Sequence, residues 1–262
     1  MVKDGKIDRM RRKQDNQRVK NKRKSEDSAA YGGVMDKYTH QNLNKLRIKG
    51  LFADLVGIIS AGKEANVYFA RGHEGEPIAI KIYKIDPQNT KWMKNYIIGD
   101  PRFHKIGHST HKIIYTWCKK EYKNLKQLTR HQIPVPKPLG YRSNILVMHF
   151  VGDATGSPAP RLKDVDQIPD PTQAAQQMFA YIQKMYVDAH LVHGDLSEYN
   201  VLLYQDQQIL IDVSQTVSTF HMNAPIFLKR DVQNMLNFYA SYVPIEQLPE
   251  LDTFVQETLE LA

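Results

Sequence analysis

Residues Leu191–Leu203 read LVHGDLSEYNVLL, and Ile209–Val213 follow as ILIDV. Apolar runs rich in Val, Leu and Ile flank a polar loop, the pattern of buried strands joined at a site. The loop carries Asp195 and, five residues on, Asn200; the next strand carries Asp212. A carboxylate beside an acceptor hydroxyl can receive its proton. Magnesium, a hard cation, takes oxygen ligands and needs few of them from protein. One loop and one hairpin therefore supply the two functions that phosphoryl transfer from a nucleotide demands. HGDxxxxN alone also suits a capped loop between core strands, so an independent set of residues is required.

Residues 56–83, VGIISAGKEANVYFARGHEGEPIAIKIY, supply it. Ile58-Ile59 and Val67–Ala70 read as strands joined by a small-residue turn, Ser60–Ala65, and Gly72–Pro77 turns the chain into a third strand, Ile78–Tyr83. Ile80 and Ile82 fall on one face of that strand; Ala79, Lys81 and Tyr83 fall on the other. Lys81 stands where the phosphate-pairing lysine follows the apolar strand of a kinase. The turn has one glycine, so it fails both GxGxxG and GxxxxGK[ST]. Ser60, Gly62 and Ala65 are small enough for backbone N–H groups to approach phosphate, and Lys63 adds positive charge.

A lysine in that role needs a carboxylate partner. Thr116–Leu128 has helical period, with Trp117, Glu121, Leu125 and Leu128 on one face and lysines on the others. Glu121 on an apolar face is costly unless paired, and Lys81 is the expected partner. The helix should end near His131, before IPVPKP. Asn144–Gly152 then reads as a buried strand breaking at Gly152, with Met148 and backbone groups of His149 and Val151 as candidate adenine contacts.

Residues 86–112 form a connection far longer than usual, read as a lid or a disordered loop. Trp92, Tyr96, Arg102 and Phe103 lie in it, Trp92 and Phe103 suiting docking against something, and Ser109-Thr110 is a candidate phosphoacceptor pair. Asp170-Pro171-Thr172 caps a helix to about His190, with Met178, Phe179, Ile182, Met185 and Tyr186 inward. Helices near 229–241 and 244–260 follow, Pro244 suiting a first turn. Arg230 and Asp231 read as structuring ion partners. The chain has no Asp-Phe-Gly and no Ala-Pro-Glu.

Lys and Arg number 36 against 28 Asp and Glu, a formal net charge of +8. Residues 1–24 hold 11 of the former and 3 of the latter, so the remainder is balanced. Such a block suits nucleic acid, with affinity falling about 10³–10⁵-fold between 50 and 200 mM salt if six to ten phosphates are contacted. The block has no aromatic residue, which disfavours base stacking. One cysteine, Cys118, excludes internal disulfides and suits a reducing, cytoplasmic setting. No apolar run approaches membrane-spanning length, and no secretory signal is expected.

The segments SAGKEANVYFA, AIKIYK, YIIGDPRF, WCKKEYKNL, IPVPKPLG, LVHGDLSEYNVLL, IDVSQTV and FLKRDVQNM resemble, in order, the type 1 branch of the RIO family of atypical protein kinases. The resemblance implies an ATP- and magnesium-dependent (manganese possible) serine/threonine kinase and ATPase acting in maturation of the small ribosomal subunit. It implies Lys81 on the phosphates, Asp195 as general base, Asn200 and Asp212 on the metal, and Ser197 among the nucleotide contacts. It also implies a transient phosphoaspartate at Asp212; Ser109 and Thr110 are candidate autophosphorylation sites. Ala61 replaces a family Thr, and His149 a family Glu. Gly194 stands where the usual kinase loop has Arg, which argues against switching by a phosphorylated activation loop.

The expected fold class is α+β: a bilobal kinase-like fold with a β-rich N-lobe and a reduced, mostly helical C-lobe lacking activation segment and peptide-docking helices. The expected divisions are a basic tail over 1–30, a nucleotide lobe over 31–150 and a catalytic lobe over 151–262. The tail would carry a pre-ribosomal or rRNA partner. Two other readings share the motifs: a small-molecule phosphotransferase of the aminoglycoside type, and a catalytically silent RNA-binding assembly factor.

Overall fold

Alternation along one strand organises the first half of the molecule. The computed structural model describes residues 35–103 and 106–261; the expected tail and its partner lie outside the described residues. Helix α1 (Lys37–Ile48) precedes β1 (Asp54–Ala61), β2 (Ala65–Arg71) and β3 (Pro77–Tyr83). With β4 (Pro138–Arg142) and β5 (Ile145–His149) these make an antiparallel sheet in the order β1-β2-β3-β5-β4. Ile78, Ile80 and Ile82 join Ile145 and Val147 beneath Leu43 and Leu46 of α1. Ala79 and Tyr83 join Leu146 and Met148 in the other core. A slip of one residue in β3 would therefore send Lys81 to the α1 side. Helix α1 was not anticipated, because it buries only Thr39, Asn42, Leu43 and Leu46.

The connection 86–112 corrects the expectation of a lid or disordered loop. Its first half is helix α2 (Pro87–Ile97), capped by Asp86, which accepts from the Gln88 N–H at 2.9 Å. Met93 and Ile97, four residues apart, are fully buried, and Trp92 meets Trp117 edge-on at 5.2 Å. Phe103 is buried as well. Helix α3 (Thr110–Arg130) begins six residues earlier than its apolar period suggested, with Ser109 as N-cap. Trp117, Glu121, Leu125 and Leu128 are buried as expected, but so is Lys120.

In the second half, α4 (Pro171–Val187) is capped by Asp170, buries the five expected residues and stops short of His190, whose φ of 49° is left-handed. Strand β6 (Leu191–Val192) leads into the polar loop, and β7 (Val201–Tyr204) and β8 (Gln207–Leu210) form the hairpin before Asp212. Residues 213–223, including β9 (Val217–Ser218), carry the chain directly to α5 (Ala224–Tyr239). Pro244 does not open the last helix. It caps a single turn, Ile245–Gln247; Leu248, held extended before Pro249, delays α6 to Leu251–Glu260. No helix among the described residues is long and apolar enough to cross a membrane.

Candidate active site

Strand β3, helix α3 and the β8–β9 segment converge on one ammonium group. Lys81 Nζ lies 2.9 Å from Glu121 Oε1 and 2.9 Å from Asp212 Oδ1. The Tyr83 hydroxyl donates to the other Glu121 oxygen. Burial works against the Lys81 charge, but Asp212 and Glu121 raise its pKa above the ordinary lysine value. Burial also pushes Glu121 upward while Lys81 pulls it back; with both oxygens receiving donors, the ionised form is the one the geometry satisfies. Asp212 has a left-handed φ of 55°. Burial tends to raise its carboxyl, yet Lys81 and a 2.8 Å bond from Ser214 Oγ hold it below the usual range.

The polar loop is built from outside. Gly194 has φ +78°, a conformation L side chains rarely adopt. Its carbonyl accepts from Arg230, and Asp231 accepts from the Gly194 N–H at 2.7 Å and the Leu196 N–H at 2.9 Å. Arg230 and Asp231 thus hold backbone, and no ion pair involves either among the described residues. Burial pushes Asp231 up to about 7 against those two donors. Asn200 Nδ2 donates to the Asp195 carbonyl at 2.8 Å and its Oδ2 at 3.3 Å, and Gln215 Nε2 donates to the same Oδ2 at 2.9 Å. Burial and then the Asp212 charge raise the Asp195 carboxyl.

A cleft of about 550 Å³ opens onto Lys81, Glu121, Asn200 and Asp212. Ser60, Gly62, Lys63, Lys81, Glu121, Met148, His149, Val151, Asn200 and Asp212 line it, with Glu64. Asp195 stands behind Asn200, and Ser197 precedes the turn Glu198–Asn200; neither lines the cleft. The nucleotide turn is shorter than Ser60–Ala65, because Ser60 and Ala61 belong to β1. The Gly62 N–H donates to the Ala65 carbonyl at 3.0 Å, so it is spent inside the turn, and a Cβ there would lie 2.9 Å from that oxygen. His149 N–H is likewise spent on the Lys137 carbonyl, and the Val151 carbonyl on Ala159.

Sequence reasoning missed four residues. Glu64 has no role in the sequence reading of the Ser60–Ala65 turn, though burial, then Asp212, pushes its carboxyl up to about 7. Gln215 enters only as part of the IDVSQTV segment, Asn124 has no role in the sequence reading, and Lys120 falls among the lysines on the helix's polar faces. Their spacing held no signal, since their partners are backbone atoms or lie far along the chain.

A family model for the RIO domain matches residues 66–250. The chain belongs to the RIO family. The RIO-type serine/threonine-protein kinase Rio1 of Haloferax volcanii is 39% identical over 206 residues, 79% of this chain and 70% of its own length. Human serine/threonine-protein kinase RIO1 is 39% identical over 236 residues, 88% of this chain but 41% of its own length. This RIO-family chain thus spans less than half the length of the human relative it matches. Its fold matches a solved Rio2 kinase–ADP/Mg²⁺–phosphoaspartate complex from Chaetomium thermophilum, with a TM-score of 0.66 at 22% identity, covering 89% of this chain and 67% of that one.

Proposed function

We propose that the cleft binds ATP with magnesium and that the chain transfers the terminal phosphoryl group to a serine or threonine hydroxyl, or to water. The observation that carries this reading is Lys81 held between Glu121 and Asp212 at 2.9 Å on each side, at the floor of a cleft of nucleotide size. Lys81 takes the phosphates, Glu121 aims it, and Asp195 receives the acceptor proton. Its raised pKa moves Asp195 towards the range where a base is effective. Asn200 spends its amide N–H on Asp195, and among the described residues nothing donates to its Oδ1, which remains for a cation. Asp212 presents a carboxylate nearly half exposed to the cleft.

The described residues contain no group of three or more His, Cys, Asp or Glu able to cage an ion. The proposed donors, Asn200 Oδ1 and the Asp212 carboxylate, would suit magnesium, which takes one or two protein oxygens and completes its shell with water and phosphate. When bound, the ion neutralises phosphate charge. Ser60 and Lys63 flank the phosphates, Gly62 keeps the turn tight, and Met148 with the His149 carbonyl and the Val151 N–H meets the base. Ser197 acts from the loop's edge. Pre-ribosomal small subunits are the proposed partner, through the basic tail, in the cytoplasm.

The test is turnover by Asp195→Asn. It should fall roughly 10²–10⁴-fold with ATP affinity retained, and unchanged single-turnover chemistry would refute the assignment. Parallel assays with purified small-subunit precursor and with aminoglycosides separate the protein-kinase reading from the small-molecule one.

A further inference from the structure

Helix α3 touches the site at more than Glu121. Lys120, one residue before it, is fully buried. Among the described residues no carboxylate lies within ion-pair distance of its ammonium. Its partners are two backbone carbonyls, those of Ser214, at 3.0 Å, and Thr216. One turn further along, Asn124 Nδ2 donates to the Val213 carbonyl at 2.7 Å and the Thr216 carbonyl at 2.9 Å. Its Oδ1 accepts from Arg102 at 2.8 Å, and Asp100 holds that guanidinium at 2.9 and 2.6 Å. The amide is therefore fixed in one orientation.

We propose that Lys120 and Asn124 are positioning residues: by gripping three carbonyls of residues 213–216, they lock the segment bearing Asp212 and Gln215 to the helix that aims Lys81. The segment's side chains work on its other side. Ser214 Oγ bonds Asp212 Oδ1, Gln215 Nε2 bonds Asp195 Oδ2, and Thr216 Oγ1 bonds the His193 carbonyl at 3.1 Å. One helical turn thus places Lys81 through Glu121, and places Asp212 and Asp195 through backbone.

Stability alone does not account for a lysine here. A buried charge facing carbonyls and the Trp117 ring, 5.4 Å from its centroid, but no carboxylate, still costs desolvation, and an apolar side chain of similar length would pack as well or better. Burial depresses the Lys120 pKa, and Arg102 nearby adds to that cost. What the ammonium does, and methionine cannot, is hold two carbonyls at set positions. Ordinary kinases bring helix and metal-binding segment into register by phosphorylating an activation loop. Here residues 213–223 are too short to carry one, and the register is built into the helix.

The inference rests on the proposed roles of Asp195 and Asp212. Its test measures kcat, KM for ATP and the half-saturating magnesium concentration in the full-length chain. Lys120→Met and Asn124→Leu are compared with the exposed control Lys123→Met. The two clamp variants should lose about 10–100-fold in kcat, the scale of an ångström's misplacement. KM should stay within about threefold, and the magnesium requirement should rise. Melting of Lys120→Met should not be lowered, and the control should behave as wild type. Unchanged kcat in both clamp variants overturns the proposal. So does a parallel decline of kcat and KM that tracks melting temperature and recovers on cooling. Asn124→Leu decides the matter if Lys120→Met does not fold. Normal turnover by Asp195→Asn would instead sink the underlying site reading, a separate result.

Discussion

Gln215 donates its side-chain amide to Asp195 Oδ2 at 2.9 Å, bridging the segment after Asp212 to the polar loop. A donor to a carboxylate favours the ionised form. Burial and Asp212 already push Asp195 upward. Gln215→Leu removes one of the donors that oppose this, so the carboxyl rises further. The acid limb of kcat/KM should move to higher pH by about half to one unit. A pH–rate profile checks it; an unmoved limb would separate Gln215 from the base.

Lys81 and Glu121 have side chains only 10% and 2% exposed. Removing one member of such a pair strands the other charge. Lys81→Met should abolish turnover and cost roughly 3 kcal/mol of stability in urea denaturation. Adding Glu121→Leu should restore most of that stability and none of the activity. Equal stability of the single and double variants would contradict this account.

His193 is buried, and burial pushes its pKa down from 6.5 to about 4. The native state therefore binds the imidazole proton more weakly than the unfolded chain does. Its stability contribution is complete above pH 6.5 and is lost as the pH falls towards 4, by roughly 3 kcal/mol across the window. His193→Gln, which still donates towards the Ile211 carbonyl, should flatten that part of the curve. Denaturation at pH 7, 5.5 and 4.5 measures the difference.

Tyr96 of α2 stacks on Phe227 of α5 at 5.3 Å, and His221 stacks on Phe227 from another side. The insertion thus braces the helix whose Arg230 and Asp231 hold the polar loop. Tyr96→Ala should cost about 1–3 kcal/mol, read as a lower melting temperature. Protease susceptibility within residues 86–103 should increase with it.

The family motifs, the alternation of β3 and the pairing of Lys81 with Glu121 were all legible from residue order. Each depends on a local period or on a charge that needs an opposite. Helix α1 and helix α2 were not, because few of their residues are apolar and their burial comes from a sheet face and from Trp117 supplied elsewhere.

Lys119, Lys120 and Lys123 are chemically identical letters on one helix. Two are exposed and one is wholly buried. Pattern alone assigned all three to solvent, since lysine ordinarily keeps its charge in water. The fold reversed that for Lys120 by bringing the carbonyls of Ser214 and Thr216, more than ninety residues away, within reach. Local order could name the chemistry because side-chain type and spacing encode it. Which backbone atoms would hold that chemistry in place depended on contacts formed only when distant segments packed.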